Sequence, residues 1–175
     1  MYFKSTMCAL TCVCALATAS AATPEGTCRL LTTAEVSAAL SGSKSGKADN
    51  SRREYGITTC EWDTGRGRFA AQTWKAQGNS AKQEAEGLML GNLDPLKRAA
   101  QSHVRYEDVT GIGEQAVAVI EPKDTKHGIL SDAAMLVIRR DQEFLVLIVP
   151  DLAREDRQAA LQTLRTLGHS AASRL

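Results

Sequence analysis

Cysteine is scarce in most of this chain. Three of the five cysteines lie within the first fourteen residues, so only Cys28 and Cys60 remain for the rest of the sequence. They do not form a CxxC pair and have no histidine beside them, which disfavours a redox-active or metal-binding pair of thiols. In an oxidising compartment we expect them to form one disulfide, which closes a loop of about thirty residues and contributes about 3 to 4 kcal/mol.

No apolar stretch after residue 22 is long enough to span a bilayer. The first 22 residues contain one charged residue, Lys4, followed by a short apolar run and then by small residues. The triplet Ala19-Ser20-Ala21 satisfies the small-x-small rule for signal peptidase. We therefore expect residues 1–22 to be a cleaved signal peptide, and residues 23–175 to be a single α+β domain. An N-terminal membrane anchor is the alternative, which the short apolar run disfavours.

The cysteines near the N-terminus do not fit a lipid-attachment signal. Such a signal needs a leucine-led run of small residues before the acylated cysteine, and none of Cys8, Cys12 and Cys14 has one. We therefore expect a periplasmic or secreted protein that has no stable membrane insertion after its signal is cleaved.

The chain also lacks an excess of either charge. Its 21 basic and 20 acidic residues become equal in number once Lys4 is removed with the signal. Nucleic-acid binding usually shows a basic stripe and a high isoelectric point. Arg52-Arg53 and the pair Arg66 and Arg68 are among the few basic concentrations, and we interpret them as solvated loop charges. No nucleic-acid partner is expected.

Motifs for catalysis, cofactors and metals are missing as well. Gly111-Ile112-Gly113-Glu114 lacks the third glycine of a dinucleotide fingerprint and fits a turn better. No G-x-S-x-G elbow presents a serine, and the acidic pairs Glu61/Asp63 and Glu107/Asp108 do not by themselves specify a glycosidase. His103, His127 and His169 are isolated, so a metal site would require them to converge in the fold. We predict no catalytic residue, no cofactor and no metal.

The apolar periodicity predicts three main helices. Thr32 and Glu35 form a capping box before the first, which should stop at Ser41-Gly42, where glycine supplies a left-handed cap. The second begins at Asn79-Ser80, buries Ala81, Ala85, Leu88 and Met89, and ends at Gly91-Asn92, with a further helical piece over 94–100. The last covers 153–167, buries Ala160, Leu161, Leu164 and Leu167, and stops at Gly168.

Six strands complete the pattern. Cys60 and Trp62 should share the core face of the first, Thr64-Gly65-Arg66-Gly67 forms a hairpin turn between the first two, and Asp141-Gln142 joins the last two. The last strand is apolar on both sides, which indicates a central position. The segment 41–56 is expected to be a mobile surface loop. The order α-β-β-α-β-β-β-β-α predicts an α+β fold: an antiparallel sheet with helices packed on it in a two-layer sandwich. The six predicted strands cover 57–63, 68–76, 104–106, 116–120, 133–140 and 143–149.

The order of the segments and their short sequence motifs resemble those of a known family. The matching motifs are Cys28-Arg29-Leu30-Leu31-Thr32, Glu35-Val36, Ala38-Ala39-Leu40, Cys60-Glu61-Trp62 and Gly111-Ile112-Gly113-Glu114-Gln115-Ala116. With the apolar hairpin and terminal helix, they look like a large family of uncharacterised exported domains, often actinobacterial lipoproteins. That family is similar in fold to the extracellular sensor domain of a mycobacterial kinase and to Mog1/PsbP-like sandwiches. The resemblance implies a sandwich fold and a binding or sensing role, and brings no catalytic residue with it.

Two functional hypotheses follow. The first is a non-enzymatic binding or sensing domain of the cell envelope, in which a sheet face or a cleft beside the second helix holds a small apolar ligand, a cell-wall fragment or an envelope protein. The second is a periplasmic inhibitor or immunity protein that blocks a secreted toxin or hydrolase. A hydrolase with a site assembled from distant residues is a weaker third possibility.

Overall fold

The computed structural model describes residues 26–90, 104–120, 133–152 and 157–175. Several sequence predictions lie outside these residues: the signal peptide, the helical piece over 94–100, the second helix's stop at Gly91-Asn92, and the start of the last helix at 153. His103 and His127 lie outside them too.

Seven strands form one antiparallel sheet in the spatial order β1-β2-β3-β7-β6-β5-β4. The α+β class, with helices packed on an antiparallel sheet, is therefore as predicted. The element order differs from the prediction by one short additional strand, β1. The strands are β1 Lys47–Asp49, β2 Thr58–Thr64, β3 Gly67–Lys75, β4 Arg105–Asp108, β5 Gln115–Ile120, β6 Ala134–Arg140 and β7 Glu143–Val149.

Strand β1 corrects the prediction of a mobile loop over 41–56. The sequence of β1 has no alternation of apolar and polar residues that would predict a strand. Its backbone nevertheless pairs with β2, where Ala48 lies opposite Cys60. An isolated bridge between Ser43 and Thr64 adds to this pairing. Backbone hydrogen bonds to an available sheet edge, rather than side-chain burial, thus order this segment.

Within the described segments, three α-helices pack on the sheet, and two short 3-10 turns accompany them. Helix α1 has the predicted capping box: Glu35 N–H donates to Thr32 Oγ1 over 3.2 Å, and Thr32 N–H donates to the Glu35 carboxylate over 2.8 Å. It ends at Leu40, and Ser41 rather than Gly42 takes the left-handed cap conformation, with φ 59°. The helices are α1 Thr33–Leu40, α2 Ala81–Leu90 and α3 Arg157–Ala172, and the 3-10 turns are Gly26–Arg29 and Arg53–Tyr55.

Strand β7 is central, as its two apolar faces predicted. It pairs with β3 on one side and with β6 on the other. Leu145, Leu147 and Val149 face one cluster of buried residues, whereas Phe144 and Val146 face another. The two predicted hairpins are also present: the turn at Asp141-Gln142 is as predicted, and the first turn is confined to Gly65-Arg66, since Thr64 and Gly67 pair as strand residues.

The first face of the sheet carries α1, α3 and the 3-10 turn Gly26–Arg29. Cys60 and Trp62 lie on this face, as predicted, and both are buried. Cys28 and Cys60 form the expected disulfide, with their Cα atoms 5.0 Å apart. It joins the chain just before α1 to the core face of β2.

The second face carries α2, through Ala81, Ala85 and Met89. Helices therefore pack on both faces of the sheet, which makes three layers instead of the predicted two, because the central strands are apolar on both sides. The prediction that Leu88 belongs to this buried stripe is wrong, since its side chain is 42% exposed. Ala81, Ala85 and Met89, at i, i+4 and i+8, face the sheet, so Leu88 lies to one side of the buried face of the helix.

Gly168 does not end α3, which continues to Ala172. A Cβ atom at Gly168 would lie 2.6 Å from Leu136 Cδ2 and 3.2 Å from Ile112 Cδ1. The glycine therefore allows the helix to approach the sheet closely, and helical hydrogen bonding carries the chain past it.

Candidate functional site

The candidate site is a cleft of about 470 Å³ between the start of α2 and the loop that joins β4 to β5. We call it the α2 cleft. Its size falls within the range of small-molecule sites in proteins. Its lining residues are Ser80, Ala81, Lys82, Asp108, Val109, Thr110, Gly111, Ile112, Gly113, Glu114, Gln115, Ala116 and Val117.

The β4–β5 loop has a fixed backbone. Val109 N–H donates to Ala116 O over 2.8 Å, and Glu114 N–H donates to Arg139 O over 2.9 Å. Gly113 has φ 59°, and a Cβ atom there would lie 2.6 Å from Arg139 O. A side chain at this position would clash with β6, so the loop depends on glycine to lie against the sheet. The sequence prediction of a turn at this motif is confirmed.

The opposite wall of the cleft is the capped start of α2. Gln83 N–H donates to Ser80 Oγ over 3.2 Å, and Ser80 N–H donates to Gln83 Oε1 over 2.9 Å. Ala81 N–H donates to Gln115 Oε1 over 3.0 Å, which ties the helix to β5 across the base of the cleft. Two backbone donors of the first turn are thus already satisfied by the protein itself.

Charged side chains of both signs line the cleft without pairing to one another. Among the described residues, Lys82, Asp108 and Glu114 make no side-chain hydrogen bond or ion pair. Asp108 ends β4, Glu114 precedes β5, and Lys82 lies in the first turn of α2. Three solvated charges around a concave surface can bind a polar ligand by hydrogen bonds and ion pairs. The sequence did not point to these three as one site: Asp108 was considered only as half of an acidic pair and Glu114 only as part of a turn, and the fold brings Lys82 beside them.

The loop separates the α2 cleft from a more open depression of about 490 Å³ beside the end of α3. His169 lies there and is exposed, with Arg140, Asp141 and Glu114 along the same rim. Within the described parts of the chain, no group of three or more His, Cys, Asp or Glu side chains could hold a metal ion.

Neither of the two acidic pairs noted in the sequence forms a pair of free carboxylates. The first has its members on opposite faces of the sheet, and both members of the second lie beside an arginine. Glu107 and Asp108 are consecutive in a strand and so point to opposite faces, and Glu107 contacts Arg157 at the start of α3. Glu61 and Asp63 flank Arg68 at 3.6 and 4.0 Å. Neither pair presents two carboxylates to one cavity, which a glycosidase would need.

A shallow groove of about 370 Å³ runs between α1 and α3. One end is closed by Arg174, which donates to both carboxylate oxygens of Glu35 over 2.8 and 2.7 Å and to Leu30 O over 2.8 Å. The Arg174 guanidinium, with further hydrogen bonds from Thr32, lowers the pKa of Glu35 to about 2. This arrangement ties the end of the chain to the start of α1, which is a structural role.

Three threonine hydroxyls form a triangle beside the disulfide. Their oxygens lie 2.6 Å (Thr27 to Thr58), 2.9 Å (Thr27 to Thr73) and 2.8 Å (Thr58 to Thr73) apart. Thr27 Oγ1 also lies 3.1 Å from Thr58 O. The cluster joins the 3-10 turn at 26–29 to β2 and β3, and the described residues place no base beside it that could activate a hydroxyl.

No helix within the described segments has the length and apolarity needed to cross a membrane. The disulfide agrees with an oxidising, extracellular environment.

No protein-family model, no curated protein and no solved structure matches the chain. The resemblance to exported domains therefore stays a prediction, and the geometry of the α2 cleft carries the functional proposal.

Proposed function

We propose that the protein is an exported, non-enzymatic binding domain, periplasmic or secreted, whose ligand site is the α2 cleft. The supporting observation is the cleft itself: a concave surface with a fixed backbone and three charges of both signs that pair with no side chain among the described residues. The lining combines charged side chains with apolar ones, so the ligand that it suits carries polar groups beside apolar parts. A peptide or saccharide fragment of the cell wall has hydrogen-bonding groups that suit Lys82, Asp108 and Glu114.

The proposal is tested by NMR titration of ¹⁵N-labelled protein with a soluble enzymatic digest of peptidoglycan. The amide signals of Gly111, Gly113 and Lys82 should move, because these residues border the cleft. Native mass spectrometry of protein purified gently from its own envelope should show a bound species of low mass.

The matched variants are Lys82→Glu, which reverses a charge in the cleft, and Lys75→Glu, which reverses an exposed charge at the end of β3. The first should abolish the signal changes, and the second should leave them unaltered. Signals that do not move with any digest, together with an empty protein from the envelope, would contradict a small-ligand function.

An envelope inhibitor or immunity protein is the second candidate. It is favoured by the segment 47–57, which is ordered on the sheet edge and bears exposed aromatic and basic side chains. Such a protein blocks an enzyme by placing a fixed loop in its active site, so it needs a rigid protrusion more than it needs a cleft.

A further inference from the structure

The connection between β1 and β2 has the most exposed large apolar side chain among the described residues, Tyr55, which is 74% exposed. The seven residues from Asn50 to Gly56 are all exposed. We call this segment, with the sequence Asn-Ser-Arg-Arg-Glu-Tyr-Gly, the β1–β2 tip.

The tip is ordered by its own hydrogen bonds. At its entrance, Ser51 N–H donates to Asp49 Oδ1 over 2.9 Å, and the Ser51 hydroxyl donates to Asp49 Oδ2 over 3.1 Å, which lowers the pKa of Asp49. The centre is the 3-10 turn Arg53–Tyr55, in which Tyr55 N–H donates to Arg52 O over 3.0 Å. At its exit, Gly56 has φ 74° and donates to Arg53 O over 3.0 Å.

The base of the tip is fixed to the core. β1 pairs with β2 beside Cys60, which carries the disulfide. Just before β1, Gly46 lies so close to the first face that a Cβ atom would be 2.6 Å from the Trp62 ring and 2.9 Å from Cys60 Sγ. The Cys28–Cys60 disulfide, the buried Trp62 ring and the pairing of β1 with β2 therefore hold the base of the tip in place.

The ordered backbone of the tip carries these exposed side chains close together. Tyr55 leaves its ring in solvent, and no described residue pairs with Arg52 or Arg53 through a side-chain ion pair. Tyr and Arg are the residue types that most often dominate binding energy at protein interfaces. A turn already fixed in one conformation loses less entropy on binding than a flexible loop does.

The charges of the tip favour a protein partner over a membrane or a nucleic acid. Arg52 and Arg53 are accompanied by Glu54 and by Asp49, so an extended anionic surface would meet both signs. A flat lipid or phosphate surface requires a wider basic patch than two arginines. A protein surface can place carboxylates locally opposite Arg52 and Arg53 beside a recess for the tyrosine ring, and leave Glu54 in solvent and Asp49 on its hydrogen bonds to Ser51.

We propose that the β1–β2 tip is the docking element for a partner protein, and that Tyr55 enters an acidic concavity of that partner while Arg52 and Arg53 pair with carboxylates at its rim. This inference rests on the inhibitor alternative within the proposed function and names its surface and the chemistry of its partner. It is independent of the α2 cleft, to which none of these residues contributes.

The test is photo-crosslinking in the cells that produce the protein. A photoreactive benzoylphenylalanine is placed at Asn50, which leaves Arg52, Arg53 and Tyr55 intact. Illumination should give one dominant adduct, and mass spectrometry should place the crosslinked peptide of the partner beside aspartate or glutamate residues. The variants Tyr55→Ala and Arg52→Glu/Arg53→Glu should each reduce the yield about tenfold or more. Arg165→Glu, an exposed charge reversal on α3, should leave the yield unchanged.

Each remaining outcome overturns the inference. These outcomes are an unaltered yield in the tip variants, a crosslinked peptide without acidic residues, an adduct with lipid or nucleic acid, and no adduct above the non-illuminated control. Thermal unfolding of the variants should match that of the wild type, because the side chains concerned are exposed. The two proposals fail separately: crosslinking at the tip with wild-type amide signals that do not move with any digest supports the tip and contradicts the cleft, and Lys82→Glu should leave the crosslinking yield unchanged.

Discussion

The two faces of the sheet are held in different ways. The first face has two helices, a disulfide, a hydroxyl triangle and the link between Arg174 and Glu35. Among the described elements, the second face has one ten-residue helix, which packs through two alanines and Met89.

Under the proposed function, this difference places the strongest stabilising contacts on one face and the ligand site beside the other. The first face joins the two ends of the described chain and braces the base of the β1–β2 tip. The second face supports α2, whose first turn forms a wall of the α2 cleft. A short helix with small contact residues buries little apolar area, so its local opening should require less free energy than that of α3.

Removal of the disulfide should have the largest effect on the first face. We expect the variant Cys28→Ser/Cys60→Ser to lose about 3 kcal/mol of unfolding free energy, since the unfolded chain gains the entropy of a loop of about thirty residues. Urea unfolding of the oxidised wild type and of the variant measures this loss. A reductant should lower the wild-type midpoint and leave the variant's unchanged; an unchanged wild-type midpoint would show that the disulfide contributes nothing.

Alanine substitution of one glycine in each helix compares the stability of the packing on the two faces. In Gly168→Ala on α3, the new methyl group would overlap Leu136, so we expect a loss of about 2 kcal/mol. In Gly87→Ala on α2, nothing lies within 4 Å of the new Cβ, and the higher helix propensity of alanine should stabilise the protein by about 0.5 to 1 kcal/mol.

Thermal unfolding gives the sign of each glycine effect, and native-state hydrogen exchange locates it. Slower exchange confined to α2 in Gly87→Ala would identify that helix as a separately opening unit. Destabilisation by both substitutions would contradict the comparison.

Acid should weaken the Arg174–Glu35 link on the first face. The pKa of Glu35 is lowered from 4.5 to about 2 in the folded protein, chiefly by the hydrogen bond from Arg174. Its contribution of about 1 kcal/mol is therefore complete above pH 4.5 and is lost as the pH falls toward 2. Glu35→Gln should reduce the unfolding free energy at pH 6 and flatten its decline between pH 4.5 and 2.

The acid prediction has a double-variant control. Arg174→Met breaks the same ion pair from its other side. Combining it with Glu35→Gln should therefore add little further loss of unfolding free energy. Urea unfolding at several pH values measures all four proteins. Fully additive losses would show that the two side chains stabilise the fold independently.

Local signals in the sequence predicted much of the fold. The capping box at Thr32, the hairpin turns and the doubly apolar β7 each involve neighbours in sequence, so their patterns could be interpreted without a structure. Two errors arose where distant contacts decide the outcome. Gly168 was predicted to end the last helix, but it is a glycine because Leu136 and Ile112 leave no space for a side chain there. Strand β1 has no hydrophobic pattern because it is held by backbone pairing with β2 and not by side-chain burial.

The candidate site was harder to predict than the fold. The Gly111–Glu114 turn was visible in the sequence, but its role as one wall of a cleft depends on α2, which lies about thirty residues earlier. Arg52 and Arg53 were interpreted as solvated loop charges. They are solvated, but the hydrogen-bonded turn that fixes them beside Tyr55 was not predictable from composition.

The sequence by itself determined the class of fold, the partner of Cys28 and the centre of the sheet, because apolar periodicity, turn residues and cysteine number act locally or by count. Only the tertiary structure decided which charges meet in the α2 cleft and which exposed side chains are held rigid in the β1–β2 tip. The physical reason is that polar surface residues have no periodic signal. Their positions follow from the packing of the core beneath them and from backbone pairing at the sheet edge.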